Sequence, residues 1–205
     1  TCPQKDMSCY FLPLSNCQTK SLETEEAFKL EETPDRMRAF HYATRSLQWL
    51  RRKVYEYLRD RAPKDMHGPC SIIHVRRSDV VIENHGRKFY NVSEYIVKLP
   101  KDRREPGANV LLLTDDANAI DEAWHDFPDL KWHYLDRPRF RGHEGGWQNH
   151  VPSNDPALEV IVIKAIQVLV QQCDIIVHGP GGFSDFIYDS MKQVNENAQR
   201  ISVEK

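Results

Sequence analysis

Three short runs of continuous apolar residues, set between stretches of helical spacing, constrain this chain most. They are Ser71-Ile72-Ile73-His74-Val75-Arg76, Val110-Leu111-Leu112-Leu113-Thr114 and Asp174-Ile175-Ile176-Val177-His178. Each reads as a buried strand bounded by turn residues. A strand with one wet face alternates apolar and polar residues; a run without alternation is covered on both faces, as in a parallel sheet flanked by helices. Lys131 to Leu135 reads as a further strand and Ile201-Ser202-Val203 as a last one. The expected fold class is α/β, a Rossmann-like doubly wound parallel sheet. Ligands bind such sheets outside the carboxyl ends of the strands, so the polar residues there are the candidates for function.

The helices fit the same plan. Thr33-Pro34-Asp35 is a start signal, and the stretch to Arg61 carries Met37, Phe40, Leu47, Leu50, Val54 and Leu58 at helical spacing. Shorter helices are expected over 92–99, 117–127, 157–172 and 183–194. Residues 136–156 form a long basic and aromatic loop with Gly142, Gly145, Gly146 and Trp147, and loops of that length are commonly functional. Residues 1–33 read as a cysteine-containing arm that turns acidic at Glu23, Glu25, Glu26, Glu31 and Glu32. The rest, 34–205, reads as one Rossmann-like domain, in keeping with a length of 205 residues.

Composition excludes several classes. The chain has 28 Lys and Arg against 30 Asp and Glu, which gives no electrostatic case for nonspecific nucleic-acid binding. Hydrophobic residues at 40% supply a core, which excludes general disorder. No apolar run approaches the ~20 residues of a membrane-spanning helix. Thr1 to Cys17 is too polar for a signal peptide, and the absence of Met at position 1 points to a mature or trimmed chain.

Five cysteines are present: Cys2, Cys9, Cys17, Cys70 and Cys173. The three near the start do not have zinc-binding spacing and are expected to staple the arm by disulfides, as in a secreted or lumenal protein. Cys173 reads as a free thiol packed as a small hydrophobe between a helix and a strand. Asn91-Val92-Ser93 is a glycosylation sequon, in keeping with a lumenal glycoprotein.

Three strand ends carry unusual chemistry. Arg76 and Arg77 follow the first buried strand, where a rigid strand end would aim their forks at a phosphate; Asp79 would orient one of them, or the set is a structural Arg–Asp pair. Gly179-Pro180-Gly181-Gly182 runs into a helix whose first amides and dipole favour an anion, or is a plain tight turn. Asp115 and Asp116 bind ligand hydroxyls, or one of them caps the helix that follows. Glu83 and His85 are candidate general bases or solvated loop residues. His125, His133, His143 and His150 do not show ligand spacing, and two adjacent acids do not make a divalent-metal site, so no metal is expected. Trp147 would stack on a sugar or cap the core.

The motif His74-Val75-Arg76-Arg77-Ser78-Asp79 resembles the H-V-R-R-[ST]-D signature of the α-1,6-fucosyltransferase family, which includes N-glycan core and nodulation-factor enzymes. Phe89 to Tyr95, Leu113-Thr114-Asp115-Asp116, Cys173 to Val177 and Tyr188 to Met191 are similar to later family segments, so the likeness spans about Cys70 to Met191, with a weaker match at Trp49-Leu50. The resemblance implies the GDP-fucose-binding lobe of a two-lobed, inverting, metal-independent GT-B glycosyltransferase. His74 and Arg76 would hold the nucleotide and its diphosphate, with Asp115, Asp116, Gly181 and Gly182 completing the donor site. Arg77 and Asp79 would shape the region of fucose and diphosphate, and Glu83 would take the acceptor's proton. The chain departs from the pattern in three places. Val80 stands where the family has Lys, no acid falls in Val162-Ile163-Lys164-Ala165 where an Asp reads the base, and Pro180-Gly181-Gly182 replaces a Ser-Ser-Gln turn.

Three functions follow as expectations. The first is a lumenal, Golgi fucosyltransferase that binds a nucleotide sugar and a glycan acceptor, with a partner chain supplying a second lobe. The second is a non-catalytic scaffold or accessory subunit of a complex, docking through the acidic arm at 20–33 and the basic stretch 136–143. The third is a transferase for another nucleotide sugar on the same fold. Fold alone does not separate them.

Overall fold

The computed structural model describes residues 42, 45–77, 88–141 and 155–204. In chain order these form α1 (Gln48–Arg61), β1 (Cys70–Val75), α2 (Val92–Ile96), β2 (Asn109–Thr114), α3 (Ala117–Asp126), β3 (Lys131–His133), α4 (Pro156–Val170), β4 (Ile175–His178), α5 (Gly182–Lys192) and β5 (Gln199–Ser202). The five strands are all parallel and lie in the order β3-β2-β1-β4-β5. This is the doubly wound α/β fold that the apolar runs predict.

The absence of alternation in those runs has a direct cause. Ile72, Leu111, Leu113 and Ile176 face one core with Val162, Ile166 and Leu169 of α4 and Ile187 and Met191 of α5. Their neighbours Ile73, Val110, Leu112 and Val177 face a second core with Tyr95 and Ile96 of α2 and Ala119 and Ala123 of α3. Fully burying one such side chain stabilises the fold by about 1.5–3 kcal/mol, so both faces resist any register slip. Helix starts are chemically marked. Asp155 accepts from the Leu158 amide ahead of Pro156, and Asp116 accepts from the Asn118 amide.

Two expectations are corrected. The helix expected from residue 33 does not run unbroken to Arg61. Leu47 is extended, with φ −61° and ψ 154°, and α1 starts at Gln48; the Arg51 guanidinium bonds the Ser46 carbonyl instead. The guanidinium thus satisfies a carbonyl that a continuing helix would have bonded to the amide four residues on. Cys173 is not a free thiol: it forms a disulfide with Cys70 across a sequence separation of 103 residues. The bond joins the first residue of β1 to the turn before β4, at the amino edge of the sheet, and both cysteines are buried. Disulfides are favoured in oxidising compartments. Among the described residues no helix is long and apolar enough to cross a membrane. The arm with Cys2, Cys9 and Cys17, and the domain boundary at 33/34, lie outside the described residues.

Candidate functional site

Strand order reverses between β1 and β4. β1, β2 and β3 succeed one another outward with α2 and α3 on one face, then the chain crosses to β4 and β5 with α4 and α5 on the other. At such a switch point the connections diverge, and the general rule for open α/β sheets puts a ligand crevice at the carboxyl ends of the two strands, here β1 and β4. His74 and His178 are register partners there.

The β1–β2 register pairs Val75 with Thr114. One step further, Arg76 meets Asp115 with Nε 3.7 Å from Oδ2, and 29% of the Arg76 side chain remains in solvent. Asp115 also accepts from the Arg77 amide at 3.1 Å, which ties the two strand ends together. On the β4 side the chain turns through Gly179 to Gly181. Gly181 sits at φ 156° and ψ 145°, a conformation that essentially only glycine adopts, and it offers no side-chain cap to the first turn of α5. Those amides and the helix dipole suit an anion. A Cβ on Gly179 would lie 3.3 Å from the Tyr95 hydroxyl, so this turn is packed against α2.

Tyr95 entered the sequence reading only as part of a short helix and of the family-like segment Phe89 to Tyr95, with no role at the site. Its ring is buried and its hydroxyl reaches Gly179, and burial raises the hydroxyl's pKa above the ordinary phenol value. Ser184, on the first turn of α5, was not singled out either. Its Oγ lies 2.8 Å from His74 Nδ1 and 3.1 Å from the Gly179 carbonyl. Only the three-dimensional turn brings it under β1.

Other predicted site residues are placed elsewhere. Arg77 is buried and turned away from the crevice. Its guanidinium donates twice to the Tyr90 carbonyl and once to Glu122 at 2.6 Å, lies 3.5 Å from Asp116 Oδ2, and stacks over the Phe89 ring. Asp116 is buried as the cap of α3. These two build the wall that holds 88–92 against α3. Asp79, Glu83, His85, His143, Trp147 and His150 lie outside the described residues. His133 pairs with the Asn109 side chain and His125 with Asp126. Among the described residues no group of three His, Cys, Asp or Glu side chains is placed to hold a metal ion.

The basic stretch expected as a docking surface has partners within the chain over residues 137–141, and Arg141 remains 59% exposed. Arg137 pairs with Glu159, and Arg141 with Asp121. Arg139 donates to the carbonyls of Thr114, Leu135 and Arg137, closing the ends of β2 and β3. Carbonyls left over at strand ends need donors, and a guanidinium supplies several from one side chain.

Burial lowers the His74 pKa from 6.5 to about 3, with smaller contributions from His178 and Arg76. Burial also lowers that of His178. Between pH 6.5 and about 3 the unfolded chain protonates His74 and the folded chain does not. Stability is therefore complete above this window and falls with pH inside it, by about 1.4 kcal/mol per pH unit from this ring. Denaturant melts at the two ends of the window are expected to show a slope smaller by that amount in His74→Gln. Equal slopes in the variant and the parent would contradict a buried neutral imidazole.

The chain was compared with protein-family models and with curated proteins: no family model matches it, and no curated protein matches it significantly.

Proposed function

We propose that this chain binds the donor of a fucosyltransferase-like reaction, GDP-fucose, in the crevice between β1 and β4. The observation that carries the reading is the placement of Arg76. Its guanidinium stands beside Asp115 at the end of β1, and the glycine turn that opens α5 follows the end of β4, the strand paired with β1. A diphosphate there would meet a cation from one strand end and uncapped amides from the next. Stabilising the negative charge on the departing diphosphate is the main electrostatic task of a glycosyl transfer. In the inverting reaction an acceptor hydroxyl attacks the anomeric carbon of fucose as the bond to the diphosphate oxygen breaks. The hydroxyl proton passes to a carboxylate, which the resemblance assigns to Glu83. The H-V-R-R-S-D motif supports guanosine and fucose as the donor's parts, and the Cys70–Cys173 disulfide with the sequon supports the secretory lumen, the Golgi in particular.

A second reading, a non-catalytic scaffold, is favoured by Val80 in place of a lysine and by Pro180-Gly181-Gly182 in place of a hydroxyl-bearing turn. Calorimetric titration of GDP into the full chain and its Arg76→Ala variant separates the two. The expected result is binding by the parent that weakens by about 30-fold or more in the variant, as for loss of one partner of a charge pair. An absence of GDP binding by the parent sinks the donor reading in favour of the scaffold. Preference for UDP or ADP transfers the site to another nucleotide sugar.

A further inference from the structure

A chain of hydrogen bonds runs beneath the crevice and determines where each of its protons sits. Arg200 of β5 donates from Nε to His178 Nε2 at 2.7 Å, while Asp185 of α5 holds its Nη2 at 2.5 Å. A guanidinium only donates, so His178 Nε2 carries a lone pair and Nδ1 carries the proton. That proton goes to the Gly179 carbonyl, 2.6 Å away. The same carbonyl, which only accepts, takes the Ser184 hydroxyl proton at 3.1 Å. A serine hydroxyl has one proton to give. Toward His74 Nδ1, at 2.8 Å, Ser184 Oγ is therefore an acceptor, and His74 Nδ1 carries the proton. The reverse arrangement, Ser184 donating to His74, would set two oxygen lone pairs against each other between Ser184 and Gly179. The Phe183 and His74 rings pack edge-to-face with centroids 5.4 Å apart. What remains is Nε2, a bare lone pair on a side chain only 7% exposed, to which no described residue hydrogen-bonds.

We infer that Ser184 and His178 are positioning residues that lock the His74 imidazole in its Nδ1–H form, making Nε2 a fixed hydrogen-bond acceptor in the crevice between β1 and β4 that selects ligands presenting an N–H or O–H and rejects a bare phosphate oxygen. The ligand half of this inference rests on the nucleotide-sugar reading. It divides the labour between residues that the sequence motif groups together. His74 takes a hydroxyl or amino group of the nucleoside, and the diphosphate is left to Arg76 and the α5 amides.

The test has two arms on the full chain. The first reads the ring nitrogens of His74 and His178 by isotope-labelled heteronuclear correlation, with no ligand present. Protonated Nδ1 and unprotonated Nε2 are expected on both rings. Ser184→Ala should move the His74 nitrogens off that pattern, and Ser184→Thr should restore it. A parent protein with His74 protonated at Nε2, or a Ser184→Ala variant with unchanged ring nitrogens, overturns the relay. The second arm compares GDP with inorganic pyrophosphate. Ser184→Ala should weaken GDP about tenfold and leave pyrophosphate unchanged, with Ser184→Thr again restoring the parent behaviour. Equal losses for both ligands overturn the selectivity. A parent that binds pyrophosphate but shows no advantage for GDP removes the nucleoside's role in the same way, while the ring-nitrogen result continues to decide the relay.

Discussion

Replacing Cys70 and Cys173 together by alanine is expected to lower stability by about 4–5 kcal/mol, the chain-entropy value for a closed loop of roughly 100 residues. The cross-link spans 103 residues and ties β1 to the approach of β4, the two strands on either side of the switch point. Domains of this kind are stable by only about 5–15 kcal/mol, so the loss would remove a large share of the total. The bond lies at the amino edge of the sheet, and the candidate site lies at the carboxyl edge. The folded variant should therefore keep its GDP affinity while its denaturation midpoint falls. A midpoint shift worth less than about 1 kcal/mol would show that the backbone pairs of β1 and β4 hold the loop closed without the cross-link.

Arg77→Met is expected to cost about 3–5 kcal/mol, the range for breaking a buried ion pair by removing one partner. Glu122 and Asp116 would lose their cation, and the Tyr90 carbonyl would lose both its guanidinium donors. The segment 88–92 is attached to α3 through these bonds, the Val92 amide on Glu122 and the apolar packing of Tyr90 and Val92 in the core shared with Ala119 and Ala123. Arg77→Lys should recover only part of the loss, because an ammonium cannot make the forked contact to Tyr90 and stack flat on Phe89. Thermal melts check the order parent, Lys, Met. A Met variant as stable as the parent would refute the structural role and return Arg77 to the list of ligand contacts.

The adjacent arginines show how far the sequence could be read. A pair of Arg residues after a buried strand marks a site, but successive residues leave a strand in opposite directions. One of the two faces the crevice and the other the wall, and the register with Asp115 and Asp116 decides which. The sheet itself was legible because its central strands are buried on both faces and so lack alternation. The turn at Gly179 was legible because of its glycines. The Cys70–Cys173 bond was not, since nothing in the spacing says that residues 103 apart meet. Nor were Ser184 and Arg200, ordinary residues whose importance arises from which proton each can give. The partners of the basic stretch after β3 were not legible for a related reason. Charge in a sequence says nothing about whether a guanidinium faces water or, like Arg139, the carbonyls at a strand end.

The central claim is that the crevice at the carboxyl ends of β1 and β4 is a nucleotide-diphosphate site. The most direct test follows the backbone amides of the full chain while GDP is added. The largest shifts are expected at Arg76 and at Gly181 through Ser184, with little change at Cys70 or Asn109 on the opposite edge. Shifts confined to other surfaces, or none at saturating GDP, would contradict the claim.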